Sequence, residues 1–160
     1  MVNTIQKRFA PIPLDAEVVG KKVLDAAYAV HSALGPGLLE SVYEACLAHK
    51  LRQQGVSVET QVVVPVTFEG VHVETGLRLD LLAGGLVIVE LKSVENMIPL
   101  YEAQLLTYLK ITGLRLGYFQ FQRRSSQRRH QAYGYLAKAF VFLCVLRGTN
   151  SLCVPSCPLW

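Results

Sequence analysis

The sequence predicts an α/β fold, a mixed sheet flanked by helices. Three observations point there. Helical spacing of apolar residues fills the region 15–54, alternating and β-branched runs fill 60–92, and a further helical segment then leads into one more strand. At 160 residues and 51% hydrophobic content, the chain is one globular domain with room for a real core.

The elements follow in order. Residues 1–14, with Pro11 and Pro13, read as an arm. Asp15 is placed to cap a helix from Ala16 to Leu34. Val18, Val19, Val23, Ala26, Ala27, Val30 and Leu34 would form its buried stripe. Gly35-Pro36-Gly37 ends it, because glycine permits a left-handed cap and proline cannot continue a helix. A second helix runs from Leu39 to Gln54, with Glu40 in its first turn and Gly55 as its stop. A carboxylate there favours the helix dipole by roughly 0.3–1 kcal/mol, which is reason enough for it without chemistry.

Thr60 to Phe68 reads as a strand, with Val62, Val64, Val66 and Phe68 alternating, and Glu69-Gly70 turns the chain. Val71 to Leu82 and Leu86 to Lys92 read as the next two strands. Pro99 to Thr112 reads as a helix with proline in its first turn and Gly113 as its stop. Gln104 and Tyr108, four apart, share a face with Tyr101. Leu114 to Phe121 starts a fourth strand.

The chemistry concentrates between Arg78 and Lys92. Two apolar runs flank Gly84-Gly85, and inside them stand Asp80, Glu90 and Lys92. Burying each charge costs several kcal/mol, roughly, unless a partner compensates. Glu90 and Lys92 are two apart and share one strand face. Asp80 lies across the turn. Two carboxylates beside one ammonium make a candidate divalent-metal site, with hard oxygen ligands suited to Mg²⁺. The turn decides whether they meet. A two-residue Gly84-Gly85 loop pairs Asp80 with Val89 and sends the carboxylates to opposite faces. A three-residue Gly84-Gly85-Leu86 loop pairs Asp80 with Glu90.

The spacing Asp-x9-Glu-x-Lys resembles the signature of the PD-(D/E)XK nuclease superfamily. Gly37-Leu-Leu-Glu40-Ser-Val-Tyr43 is similar to the motif of the bacterial GxxExxY proteins within it, and Gln104-Leu-Leu-Thr-Tyr108 is similar to their later helix motif. The resemblance covers about Val18 to Gly117. It implies a restriction-endonuclease-like core with a mixed sheet of about four strands. It also implies Mg²⁺ or Mn²⁺ on Asp80 and Glu90, with Glu40 as a further ligand or water-orienting carboxylate. Lys92 would be catalytic with these acids, and Gln104 and Tyr108 would contact substrate. The substrate would be nucleic acid, DNA first. Tyr101 departs from the family, where histidine often stands. A rival reading keeps the fold as a catalytically inactive interaction protein, or as a truncated, non-functional copy.

Charge and composition constrain partners. The net charge is +4, yet all 12 acids lie at or before Glu102, and residues 120–160 hold six bases and no acid. The basic character thus belongs to the tail. No apolar run reaches the roughly 20 residues that span a bilayer, and Met1 to Leu14 lacks an apolar signal-peptide centre, so the expected location is cytoplasmic. The oligomeric state is not legible. Cys46, Cys144, Cys153 and Cys157 include no zinc-type Cys-x2-Cys pair.

The domain then spans 15–121 and residues 122–160 form a divergent tail. Relatives continue the fourth strand with a sequence similar to Asn-Phe-Asn and then a Lys-Asp-Gly-Ile-Lys-Arg stretch. One choice of codons for Gln120 to Ala137, read one nucleotide later, gives Asn-Phe-Asn-Val-Ala-Leu-Leu-Lys-Asp-Gly-Ile-Lys-Arg-Met-Val-Ile and then a stop. The expectation is a frameshift between about Gly117 and Gln120. The alternative is a genuine tail that binds nucleic acid through its arginines.

Overall fold

A computed structural model describes residues 12–35, 37–93, 98–121 and 143–147. The elements are α1 (Leu14–Leu34), α2 (Glu40–Gln53), β1 (Val58–Phe68), β2 (Val71–Ala83), β3 (Val87–Lys92), α3 (Pro99–Thr112), β4 (Leu116–Phe121) and β5 (Leu143–Arg147). The five strands form one sheet in the order β1-β2-β3-β4-β5. β3 and β4 run parallel, with α3 as the crossover, and the other neighbours are antiparallel. This is a mixed α/β sheet, consistent with a restriction-endonuclease-like core.

Two apolar layers sandwich the sheet. On one side α1 and α2 supply Val23, Ala27, Leu47 and Leu51 against Leu81, Val89 and Leu91. On the other, α3 supplies Leu105, Tyr108 and Leu109 against Leu79, Ile88 and Phe119. β3 is covered on both faces, which is why Val-Ile-Val-Glu-Leu shows no polar alternation.

Several boundaries differ from the sequence expectation. Asp15 lies inside α1, where its Oδ1 accepts the Ala16 N–H at 2.8 Å, and Pro13 occupies the cap position. Proline fixes its own φ at a value suited to leading into the helix, so the helix starts two residues early. The buried stripe of α1 is Ala16, Gly20, Val23, Ala26, Ala27, Val30 and His31. Val18 and Leu34 are exposed, as is Phe68 at the tip of the β1–β2 hairpin. Leu34 and Phe68 are in phase but no layer covers that end of the element, whereas Val18, two residues from both Ala16 and Gly20, lies on the opposite face of the helix.

The fifth strand was not expected. Leu143–Arg147 pairs antiparallel with Leu116–Gln120, on the far side of β4 from β3. The unpaired backbone groups of β4 provide the template for it. The rest of the 122–160 tail lies outside the described residues, as do arm residues 1–11.

Gly20 shows how closely α1 approaches the sheet. A Cβ built there would stand 2.7 Å from the Leu116 side chain and 2.7 Å from the Tyr118 hydroxyl. Gly20→Val should therefore destabilise by about 1–3 kcal/mol through overpacking. Gly85→Asn, where φ is +66° and a Cβ meets nothing within 4 Å, should stay within about 0.5 kcal/mol, because asparagine tolerates the left-handed region. Thermal melts of the two variants check the contrast.

Candidate functional site

The site begins with the β2–β3 turn. Gly84 and Gly85 take left-handed φ values of +60° and +66°, and the Leu86 N–H donates to the Ala83 carbonyl at 3.0 Å. The loop is the three-residue one. Ala83 pairs with Val87, Leu82 with Ile88 and Leu81 with Val89. The next positions in this register are Asp80 and Glu90.

There the backbone ladder stops and side chains take over its bonds. The Asp80 N–H donates to Glu90 Oε1 at 3.4 Å, and the Leu91 N–H donates to Asp80 Oδ2 at 2.9 Å. The strand also turns over at this point. Leu79 packs in the α3-side core, whereas Leu81 packs in the α1/α2-side core. Opposite Asp80 in the β1 register sits Gln61, in the left-handed region at φ +55°. Carboxylates thus fill the opening between two diverging strands.

Both acids reach one ammonium. Lys92 Nζ lies 3.4 Å from Glu90 Oε2 and 3.8 Å from Asp80 Oδ2. Glu90 is 1% exposed. Burial first, and then the negative charge of Asp80, push its carboxyl up to about 7 against the opposing pull of Lys92. Burial alone would lower Lys92, but Glu90, Asp80 and Glu40 outweigh it and hold the ammonium above its ordinary value.

Glu40 joins from a different element. It opens α2, and its Oε1 accepts the Ser93 N–H at 2.7 Å, just past the end of β3. The Ser93 hydroxyl donates to the Leu38 carbonyl at 3.2 Å, so the approach to α2 is stitched to the end of β3. Glu40, Ser41 and Glu44 line one wall of a cleft of about 370 Å³, and Gln61, Arg78, Asp80 and Leu91 complete it. Among the described residues, no three His, Cys, Asp or Glu side chains close into a ready metal cage. Glu40 is near the pair but does not complete it.

Gln104 and Tyr108 meet each other: the Gln104 amide donates to the Tyr108 hydroxyl at 2.7 Å. Neither lines the cleft, and the Tyr108 ring belongs to the core under α3. Two further polar residues were expected to be structural: His31 as structural or solvated rather than a metal ligand, and Tyr43 as core packing. His31 and Tyr43 are buried between α1 and α2, with ring centroids 6.3 Å apart. Neither His31 nitrogen, nor the Tyr43 hydroxyl, has a hydrogen-bond partner among the described residues. Burial pushes the His31 imidazole down and the Tyr43 phenol up, so both are neutral near pH 7. His31 stands four residues after Ala27 on the buried stripe of α1, so it is structural and not solvated.

The sequence model for the PD-(D/E)XK nuclease superfamily matches residues 17–132. No curated protein and no solved structure matches.

The state of Glu90 gives a stability prediction. Its folded value of about 7 lies above the ordinary 4.5, so the folded chain holds this proton more tightly than the unfolded chain does. That contribution is full below about pH 4.5 and is lost as pH rises through about 7. Glu90→Gln keeps the neutral shape without the proton. In the presence of a chelator, its melting temperature should exceed that of the parent chain at pH 8, by the equivalent of about 1–3 kcal/mol, and converge with it near pH 4.5. A variant less stable at pH 8 would show that the Lys92 pairing outweighs burial.

Proposed function

Because the chain belongs to the PD-(D/E)XK nuclease superfamily, we propose that it is a metal-dependent nuclease hydrolysing phosphodiester bonds in nucleic acid, with DNA as the favoured substrate. The observation that supports this reading is the convergence of Asp80 and Glu90 on the Lys92 ammonium at the open end of the hairpin. The donor set fits a hard divalent cation, since it is made of carboxylate oxygens, and burial and then the neighbouring Asp80 charge push the Glu90 carboxyl up, a cost that a bound cation would offset.

Asp80 and Glu90 would hold Mg²⁺ or Mn²⁺, with Glu40 in support through the Ser93 contact. A bound divalent ion supplies Lewis acidity that neutralises charge at the scissile phosphate. Lys92 has three N–H donors, one of them directed at Glu90, and the others would serve the attacking water and charge developing on the phosphate oxygens. Its ammonium also lets two carboxylates coexist in a partly buried place. Gln104 and Tyr108 are assigned to substrate on the family motif alone. No helix among the described residues is long and apolar enough to cross a membrane. A cytoplasmic location is proposed with this reading, in keeping with a nucleic-acid substrate.

We also propose that residues after about Gln120 are read out of frame. The codon argument and the absence of acids beyond Glu102 support it. The family match to residue 132 and the pairing of β5 with β4 weigh on the other side. The nucleotide sequence decides. One inserted or two deleted nucleotides near codons 117–120, relative to relatives, are expected. A relative with an uninterrupted frame carrying the same Arg-Arg-Ser-Ser-Gln-Arg-Arg run would end the proposal.

The nuclease reading is tested by cleavage of DNA in Mn²⁺. Lys92→Ala should lower the rate by at least about a hundredfold while metal still binds, because an ammonium is no ligand for a cation. Asp80→Asn should weaken the metal itself by more than about tenfold. Cleavage unchanged in Lys92→Ala would assign the chemistry elsewhere.

A further inference from the structure

Three carboxylates line the cleft, and each is already engaged. Glu40 accepts the Ser93 N–H, the Gln61 amide donates to Glu44, and Asp80 accepts the Leu91 N–H and pairs with Lys92. One cationic side chain shares that lining, Arg78. It makes no ion pair and no hydrogen bond through its side chain among the described residues. An arginine beside three acids would ordinarily pair with one of them. Here other donors satisfy the acids and leave the guanidinium open to the cleft.

Its direction is fixed by the strand. Leu77 and Leu79, on either side, pack in the core under α3. Successive side chains on a strand point to opposite faces, so Arg78 projects toward α2. Its backbone is pinned in the β1–β2 ladder opposite Val63, so the position is a rigid one. Two residues along β2 lies Asp80, about 6.6 Å further at strand rise. Ser41 lines the same cleft from the first turn of α2, where the helix dipole also favours an anion.

We propose that Arg78 is a phosphate seat: its guanidinium grips a backbone phosphate of the nucleic acid next to the one presented to Asp80, Glu90 and Lys92. This rests on the nuclease reading for its substrate class. A planar fork of N–H donors suits two phosphate oxygens at once, which a lysine ammonium does not match. The seat resolves an electrostatic difficulty. A cleft walled by Glu40, Glu44 and Asp80 repels a polyanion, and a fixed cation within it gives the strand one place to enter and a register to hold.

The test measures binding apart from cleavage. A short fluorescein-labelled duplex DNA is titrated with the full chain in Ca²⁺, and the anisotropy Kd is followed from about 50 to 200 mM salt. Arg78→Ala should weaken binding about tenfold at low salt and reduce the slope of log Kd against log salt by about one. Arg78→Lys should keep the slope and recover part of the affinity. The tail arginines are common to all three proteins, so the differences report Arg78. Arg78 is exposed, and thermal melts should show all three equally stable. An unchanged slope and Kd in Arg78→Ala overturns the proposal, as does a parent chain that does not bind the duplex. Cleavage in Mn²⁺ is read separately. A chain that binds with an Arg78-dependent slope yet does not cut loses the nuclease reading and keeps the phosphate seat.

Discussion

A carboxyl with 1% exposure in the middle of the sheet is expensive, and the surrounding structure is arranged to meet that cost. Glu90 occupies a strand covered by helices on both faces. Lys92 stands two residues on, where strand geometry brings its ammonium back to the Glu90 oxygen. Asp80 is placed by the three-residue turn, which sets it in register with Glu90. Lengthening or shortening that turn by one residue would move Asp80 off its partner and leave Glu90 with Lys92 alone. Glycine at both left-handed positions is what makes the required turn inexpensive.

The opening that these side chains fill also connects the layers. With the β2–β3 ladder stopped at Leu81 and Val89, the strand ends diverge and expose Asp80 to α2. The Ser93 N–H then reaches Glu40, so the first turn of α2 is fixed to the end of β3. Behind that turn, His31 and Tyr43 stack in the interface of α1 and α2, three residues from Glu40. A polar site is thereby held by two apolar cores, one on each face, and none of its carboxyls sits on a free loop. This is the arrangement expected where a site must keep its geometry against its own electrostatic repulsion.

Much of this was legible in the chain because it is local. The apolar run around Glu90, the i,i+2 relation to Lys92 and the glycine pair all lie within fifteen residues, and strand alternation ties them together. The superfamily signature lies in the same stretch, while the family likeness also draws on Gly37 to Tyr43 and Gln104 to Tyr108. Two turn lengths were compatible with Gly84-Gly85, and only the pairing of Leu81 with Val89 separates them. Most of the α1 stripe was read in the right phase, but Val18 falls on the opposite helix face, and Leu34 lies beyond the reach of the sheet, which periodicity does not reveal. The partner of Glu40, the open guanidinium of Arg78 and the edge pairing of β5 depend on residues far apart in sequence. No window of residues contains that information. Tyr108 and Gln104 were rightly set side by side at helical spacing, yet helical spacing says nothing of how far the pair stands from the cleft.

The central claim is that Asp80 and Glu90 together form a binding place for a divalent cation, with Lys92 standing in its electrostatic role beside them. Calorimetric titration of Mn²⁺ into the full chain at pH 7 addresses it most directly, since it requires neither a substrate nor turnover. The account predicts one saturable binding event per chain that disappears in Asp80→Asn and persists in Lys92→Ala. Absence of saturable heat in the parent chain, or binding indifferent to Asp80→Asn, would contradict it.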